Sequence, residues 1–177
     1  MKRSDIRPMP QYFDKYIEQV KDIQLMDALE NSLEDLRALD VAELKSIGDN
    51  KYAVGKWTVR EIFQHLADVE RILCYRALLI ARNDGTQTPD FDEKLISDNS
   101  KANERALCSI IDELITVRQS TIALFNSFDE EILLRKGRNW KYEMNVLGFG
   151  FCLAGHQAWH FKIIGEKYLH PGNVSFD

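Results

Sequence analysis

The chain has 177 residues, 45% of them hydrophobic and 29% charged, with a formal net charge of −5. That length suits one domain with a real core, and the acidic balance argues against sequence-independent nucleic-acid binding, which needs a basic surface. No apolar run approaches the ~20 residues of a membrane span, no apolar stretch follows the basic start as a secretory signal requires, and Cys74, Cys108 and Cys152 are odd in number and widely spread, which predicts reduced thiols in the cytoplasm.

Helical periodicity dominates, and no strand alternation stands out. Pro8 and Pro10 precede a first segment over 11–19, which leads into a helix over 25–39 with Leu25, Met26, Leu29, Leu33, Leu36 and Leu39 at helical intervals. Gly48, Asn50 and Gly55 mark a loop over 48–56. Thr58 and Glu61 form a capping box. Trp57 and Ile62 are placed to act as its hydrophobic staple, and the helix that follows runs to about Arg82. Asn83-Asp84-Gly85 ends it, and a loop containing Pro89 extends to about Ser97.

A third helix fits 99–125, with Leu107, Ile110, Ile111 and Leu114 on its apolar side. A short extra turn is expected over 129–134, a turn over 136–139, and a last helix over 145–169 that Pro171-Gly172 closes. No repeat or linker divides the chain, so one domain spans 1–177. The expected fold is all-α, a four-helix bundle. The loop over 85–96 is long for adjacent antiparallel helices, which predicts that it crosses over the bundle or covers one of its mouths.

Four histidines are present. His156 and His160 are four apart on the last helix, so they project side by side, in phase with Phe149, Cys152, Leu153 and Ile163. Two imidazoles so placed can hold one metal ion, and a third from a facing helix completes a three-nitrogen site with coordination positions left open. His65 is the candidate third. It lies a quarter-turn from the densest apolar stripe of its helix, at the flank of the core. Asp68, three residues on, is the candidate acceptor that orients an imidazole.

Bland readings stand beside these. A single histidine on an apolar face is more often a hydrogen-bonded core residue than a ligand. Cys152, four before His156, reads better as a small buried thiol than as a fourth ligand. His170 reads as a surface residue, and Trp57, Trp140 and Trp159 as core or pocket wall. Glu61, Asp68, Glu70, Arg71, Arg76 and Arg82 read as a solvated helix face, although a cation such as Arg76 could hold a substrate carboxylate. A helix apolar nearly all round, as the last one is, sits centrally or packs on a second subunit. Two histidines in a bundle also admit haem.

Several stretches together carry a family resemblance. PQYFDKYIEQV opens the chain, and WTVREIFQHLADVE holds an H-L-x-D-x-E motif behind a tryptophan. PDFDE and ELITVRQST follow, and LAGHQAWHFKIIGEKYL holds G-H-x-x-x-H. Over nearly its whole length the chain resembles the DinB-like, YfiT-type superfamily of metal-dependent enzymes. The resemblance implies a four-helix bundle with a long crossover connection, usually a homodimer. It implies metal ligands at His65, His156 and His160, with nickel or zinc as the ion; iron or manganese also suit three imidazoles. It further implies a thiol cosubstrate: the characterised relatives include S-transferases using bacillithiol-like thiols and a mycothiol-dependent isomerase. The family name refers to genes induced by DNA damage and implies no contact with DNA.

The expected function is therefore a metal-dependent transfer of a low-molecular-weight thiol to a small-molecule electrophile in stress response or detoxification. The alternatives are a metal-dependent hydrolase and a non-catalytic, dimeric, small-ligand-binding bundle.

Overall fold

The computed structural model describes residues 1–84 and 90–169. The expectations for Gly85, Pro89, His170 and Pro171-Gly172 lie outside these residues. Eight α-helices occur among those described: α1 (Asp14–Ile17), α2 (Leu25–Arg37), α3 (Val41–Ser46), α4 (Val59–Ala81), α5 (Glu93–Asn99), α6 (Leu107–Asn126), α7 (Glu130–Leu134) and α8 (Val146–Ile164). α8 continues into a π turn over Gly165–Leu169. The fold is an all-α four-helix bundle of α2, α4, α6 and α8.

The start of α4 forms as its sequence dictates. The Thr58 hydroxyl accepts from the Glu61 backbone N–H at 3.1 Å, and the Glu61 carboxylate accepts from the Thr58 N–H at 2.7 Å. Two otherwise orphaned donors are satisfied at the end that carries His65. α8 is started by Asn145, whose side-chain oxygen accepts from Gly148 N–H at 2.8 Å.

Side-chain pairs fix the helix directions. Asn103 donates to Glu61 near one end of α4, and Cys74 meets Thr121 near the other, so α4 and α6 run parallel. A chain leaving α4 must therefore return along the bundle before α6 can begin. That return explains the length of the connection, and α5 lies within it against α4. α8 runs antiparallel to α4, with Phe63 beside Phe161 and Arg76 bonded to Asn139 just before α8. α2 runs parallel to α8, with Leu25 beside Gly150 and Gln157 donating to the Ser32 carbonyl. α2 and α4 each pack on both α6 and α8, so they occupy opposite corners.

Local details differ from the sequence expectation. α3 is a short helix in the stretch between the expected helix over 25–39 and the loop over 48–56, which carries no expected element, and α5 is a short helix that begins inside the segment read as a loop to about Ser97. Residues 99–106 hold a single 3₁₀ turn over Ala102–Glu104 in place of the first turns of the third helix. The expected turn over 136–139 is instead β1 (Lys136–Asn139), paired antiparallel with β2 (Tyr142–Asn145). The turn falls at Trp140-Lys141. Two strands of four residues with few apolar side chains are too short to show a period of two.

α8 has Val146, Leu147, Phe149, Phe151, Cys152 and Leu153 all buried. α1, α2 and α4 of the same chain cover it, so its all-round apolarity is satisfied without a second subunit.

One expectation is overturned outright. Glu70 does not belong to a solvated face: it is 3% exposed, and its partner Arg118 is 1% exposed. Arg118 forks onto Glu70 through Nε and Nη2, each at 2.8 Å. It also donates to the Ser32 hydroxyl on α2 and to the Leu153 carbonyl on α8. Thr121 donates to Glu70 at 2.6 Å. This one cluster touches all four bundle helices. Arg76, also read as solvated, is 4% exposed. Asp68, Arg71 and Arg82 are more open.

Candidate metal centre

His65 projects from α4, and His156 and His160 project from α8 one turn apart. All three are buried, at 4%, 7% and 9% exposure. The quarter-turn that separates His65 from the main apolar stripe of α4 places its ring against His156 and His160 of α8. His65 Nε2 lies 3.2 Å from His156 Nε2, and His160 Nε2 lies 3.1 Å from the same atom. Nitrogens bound to one ion at ~2.0–2.1 Å with tetrahedral angles stand about 3.4 Å apart. The observed spacing therefore fits three ligands of a common ion. Among the described residues, these three histidines are the one cluster of metal-ligating side chains so arranged.

Aromatic neighbours hold the rings. Trp57 lies 4.5 Å, centroid to centroid, from His65 and is stacked at 28° over His160. The Tyr168 hydroxyl donates to the Trp57 carbonyl. Tyr16 on α1 meets His156 edge-on at 5.0 Å. That contact depends on Gly155: a Cβ there would stand 1.9 Å from the Tyr16 carbonyl oxygen. The glycine of G-H-x-x-x-H is thus the residue that lets the α1 backbone reach the site.

Burial sets the protonation. It pushes the His65 imidazolium down to about 3, with further lowering from His160. It pushes His160 down to about 4, with a smaller effect of Lys15. His156 is driven well below its ordinary value by burial and then by the other two rings. All three are neutral near pH 7, so each carries a nitrogen lone pair, the form a metal requires. The donor set fits a divalent ion.

Two cavities flank the trio. One, of about 350 Å³, reaches His156 and includes Tyr16, Arg76, Phe91, Asn139 and Trp140 in its wall. The other, of about 230 Å³, reaches His160 along Trp57, Lys56 and Tyr168. Cys152 faces the first cavity, and burial pushes its thiol up to about 12. It is a buried thiol, outside the histidine cluster. Asp68 does not meet the rings. Its carboxylate accepts from Gln64 at 3.0 Å and lies 3.6 Å from Arg71, and among the described residues no hydrogen bond joins it to a histidine. Three residues past His65, it is turned away from α8 toward α6, where Gln64 in turn takes a bond from Arg105.

The sequence pattern did not point to Tyr16 as a neighbour of the site, and it placed Trp57 as a helix staple and as core or pocket wall without setting it against His65 and His160. The signal for Trp57 was its place at the helix entry, eight residues or about two turns before His65. For Tyr16 the only signal was the glycine beside His156.

The family model of the DinB superfamily matches residues 24–164. The chain belongs to the DinB superfamily. Among solved structures, one described as "YfiT from Bacillus subtilis is a probable metal-dependent hydrolase with an unusual four-helix bundle topology" is similar at 19% identity and a TM-score of 0.60. The match covers 86% of this chain and 85% of that one. At that identity the likeness shows the shared fold. A search of curated proteins finds no match. In this DinB-superfamily chain the three converging imidazoles sit where α4 and α8, two helices within the matched segment, face each other.

Proposed function

We propose that this chain is a divalent-metal-dependent enzyme whose ion is held by His65, His156 and His160, and that its reaction transfers a low-molecular-weight thiol such as bacillithiol to an electrophilic small molecule in stress response or detoxification. The observation that carries the reading is the convergence of three buried, uncharged Nε2 atoms on one point. When bound, a divalent ion held by neutral ligands keeps its charge and lowers the pKa of a thiol or water set against it. Nickel or zinc suits the set best, with iron and manganese also compatible.

The protein's own part is positioning. Trp57 and Tyr16 fix the ring planes, and Gly155 keeps Tyr16 in place. The cavity beside His156 pairs apolar walls with polar groups, Arg76 and Asn139 among them. Cys152 stays protonated and does not compete as a nucleophile. In the transfer, a sulfur–carbon bond forms, the leaving group departs with its electron pair, and the thiol proton passes to solvent. The described cysteines are unpaired, in keeping with a reducing compartment. Among the described residues no helix is long and apolar enough to cross a membrane.

A metal-dependent hydrolase is the second reading, favoured by what is said of YfiT, whose fold this chain shares. The test begins with protein purified without an affinity tag. About one ion per chain is expected by elemental analysis, and its loss in His156→Ala. Turnover of a chlorinated aromatic is then followed with and without bacillithiol or glutathione. Turnover indifferent to thiol, with a hydroxylated product, replaces the transferase with the hydrolase. Wild-type protein lacking stoichiometric metal removes both and leaves a ligand-binding bundle. Sedimentation of the same preparation tests the homodimer expected from the resemblance.

A further inference from the structure

The cavity beside His156 contains a polar group with no partner. Asn139 is fully buried, at 0% exposure, and lines that cavity. Its Oδ1 accepts from Arg76 Nη1 at 2.7 Å. This bond fixes which side of the amide is oxygen, so Nδ2 is the donor left over, and it has no hydrogen-bond partner. A buried unsatisfied donor costs the fold free energy and calls for a cause. Arg76 lines the same wall, with its guanidinium 5.2 Å from the Phe91 ring centre and with Asp90 as a nearby counter-charge.

The rim of this cavity is strained. Tyr12 and Trp140 both have left-handed backbones, at φ 69 and φ 55. For a bulky residue that is a genuine outlier. Both line the cavity, and their rings meet at 5.2 Å and 64°. Such strain gathers at ligand clamps, where surrounding structure enforces it. The volume of about 350 Å³ falls within the usual range for a small-molecule site.

We infer that this cavity is the subsite for a flat organic molecule carrying an oxygen acceptor, a carboxamide or carboxylate, bound by Asn139 Nδ2 beside Arg76 and covered by Tyr12 and Trp140. The inference rests on the proposed enzyme reading only in making this molecule the substrate held next to His156. Acids also line the cavity. Asp92 caps α5 by accepting from Leu95 N–H, while Asp90 lies within the electrostatic reach of Arg76 and Glu93 within that of Lys15. An amine is therefore the competing ligand.

Calorimetric titration of the protein as purified, with benzamide, benzoate and benzylamine, tests this. At least one of the two oxygen-bearing probes binds tenfold or more tightly than benzylamine, and which one it is tells amide from carboxylate. Asn139→Asp keeps the shape, gains Arg76 as an ion partner and turns the donor into an acceptor. It weakens the preferred probe at least tenfold, with metal content unchanged. Trp140→Asn, which tolerates the left-handed backbone, weakens binding while the melting temperature holds or rises. The inference is overturned if no oxygen-bearing probe binds, if benzylamine binds as tightly, if Asn139→Asp binds as the wild type does, or if Trp140→Asn lowers the melting temperature without weakening binding. Binding is read without turnover. Protein that binds benzamide but holds no metal sinks the enzyme reading alone, and metal-loaded protein that binds none of the probes sinks this inference alone.

Discussion

Two buried polar clusters lie within about one turn of each other along α4 and α8, and they are built on opposite rules. In the Glu70–Arg118 cluster the charges are matched. The guanidinium meets the carboxylate in a fork, Ser32 and the Leu153 carbonyl take further donors, and Thr121 bonds the carboxylate. The cluster satisfies itself and has no use for a ligand. In the histidine cluster three ring nitrogens face one another at hydrogen-bond distance, with no opposite charge among them. With all three in the acceptor tautomer, the set is completed by a cation. A closed polar network marks a structural centre, and an open one of uniform sign marks a site.

Breaking the closed cluster has the largest effect on stability. Glu70→Ala leaves the Arg118 guanidinium buried without its partner, a change that costs about 3–5 kcal/mol. Urea unfolding measures it. His65→Ala in metal-free protein leaves no charge behind, so its cost is smaller. Equal costs would mean that the two clusters do not differ in kind.

Acid opens the histidine cluster. The histidines have folded pKa values depressed below the unfolded value near 6.5. Above pH 6.5 both states are neutral and the full stability is present. As pH falls below 6.5 the unfolded chain takes protons that the folded chain refuses, and stability is lost until the folded values of about 4 for His160 and about 3 for His65 are reached. Each ring contributes up to about 1.4 kcal/mol per pH unit in that window. Metal-free unfolding followed from pH 7 to pH 4 shows this slope, and replacing all three histidines by Gln flattens it. A slope that persists in the triple variant would assign the effect to other groups.

Gly155→Ala attacks the frame of the site. The new Cβ meets the Tyr16 carbonyl, which is backbone and must move. The expected cost is about 1–3 kcal/mol, together with weaker metal retention as Tyr16 leaves His156. Gly165→Ala, at a position with nothing within 4 Å, is the control. It is expected to be neutral or slightly stabilising.

The same contrast explains what was legible in the sequence. Long helices announce themselves by period, and the capping box at Thr58 placed the start of α4 correctly. His156 and His160 share a face by spacing alone. His65 needed a decision about which helix its flank faces, and periodicity within one helix does not contain that. Glu70 was misread because charge was taken to mean solvent. Yet Glu70 keeps phase with Phe63, Leu66, Leu73 and Ala77, and Arg118 keeps phase with Ile111, Leu114, Thr121 and Phe125. Two opposite charges, each in register with an apolar stripe, were the available sign of a buried pair. The hairpin over 136–145 and the seating of α1 on α8 left no periodic trace. Both are tertiary arrangements of segments too short to have a period.

Cys152→Ala probes the smallest difference between the clusters. The thiol is 1% exposed and four residues before His156, so a sequence reader must decide whether it completes the site. Burial keeps it protonated, pushing it up to about 12, and a protonated thiol is not a ligand. A bound ion close enough to coordinate would reverse that by stripping the proton. Removing the sulfur is therefore a direct vote. If the histidines alone hold the ion, metal content is unchanged and stability falls by about 1 kcal/mol, the cost of a small packing defect. If metal content falls in parallel with that of His156→Ala, the open cluster has a fourth member and the ion carries less charge than three neutral imidazoles would leave it.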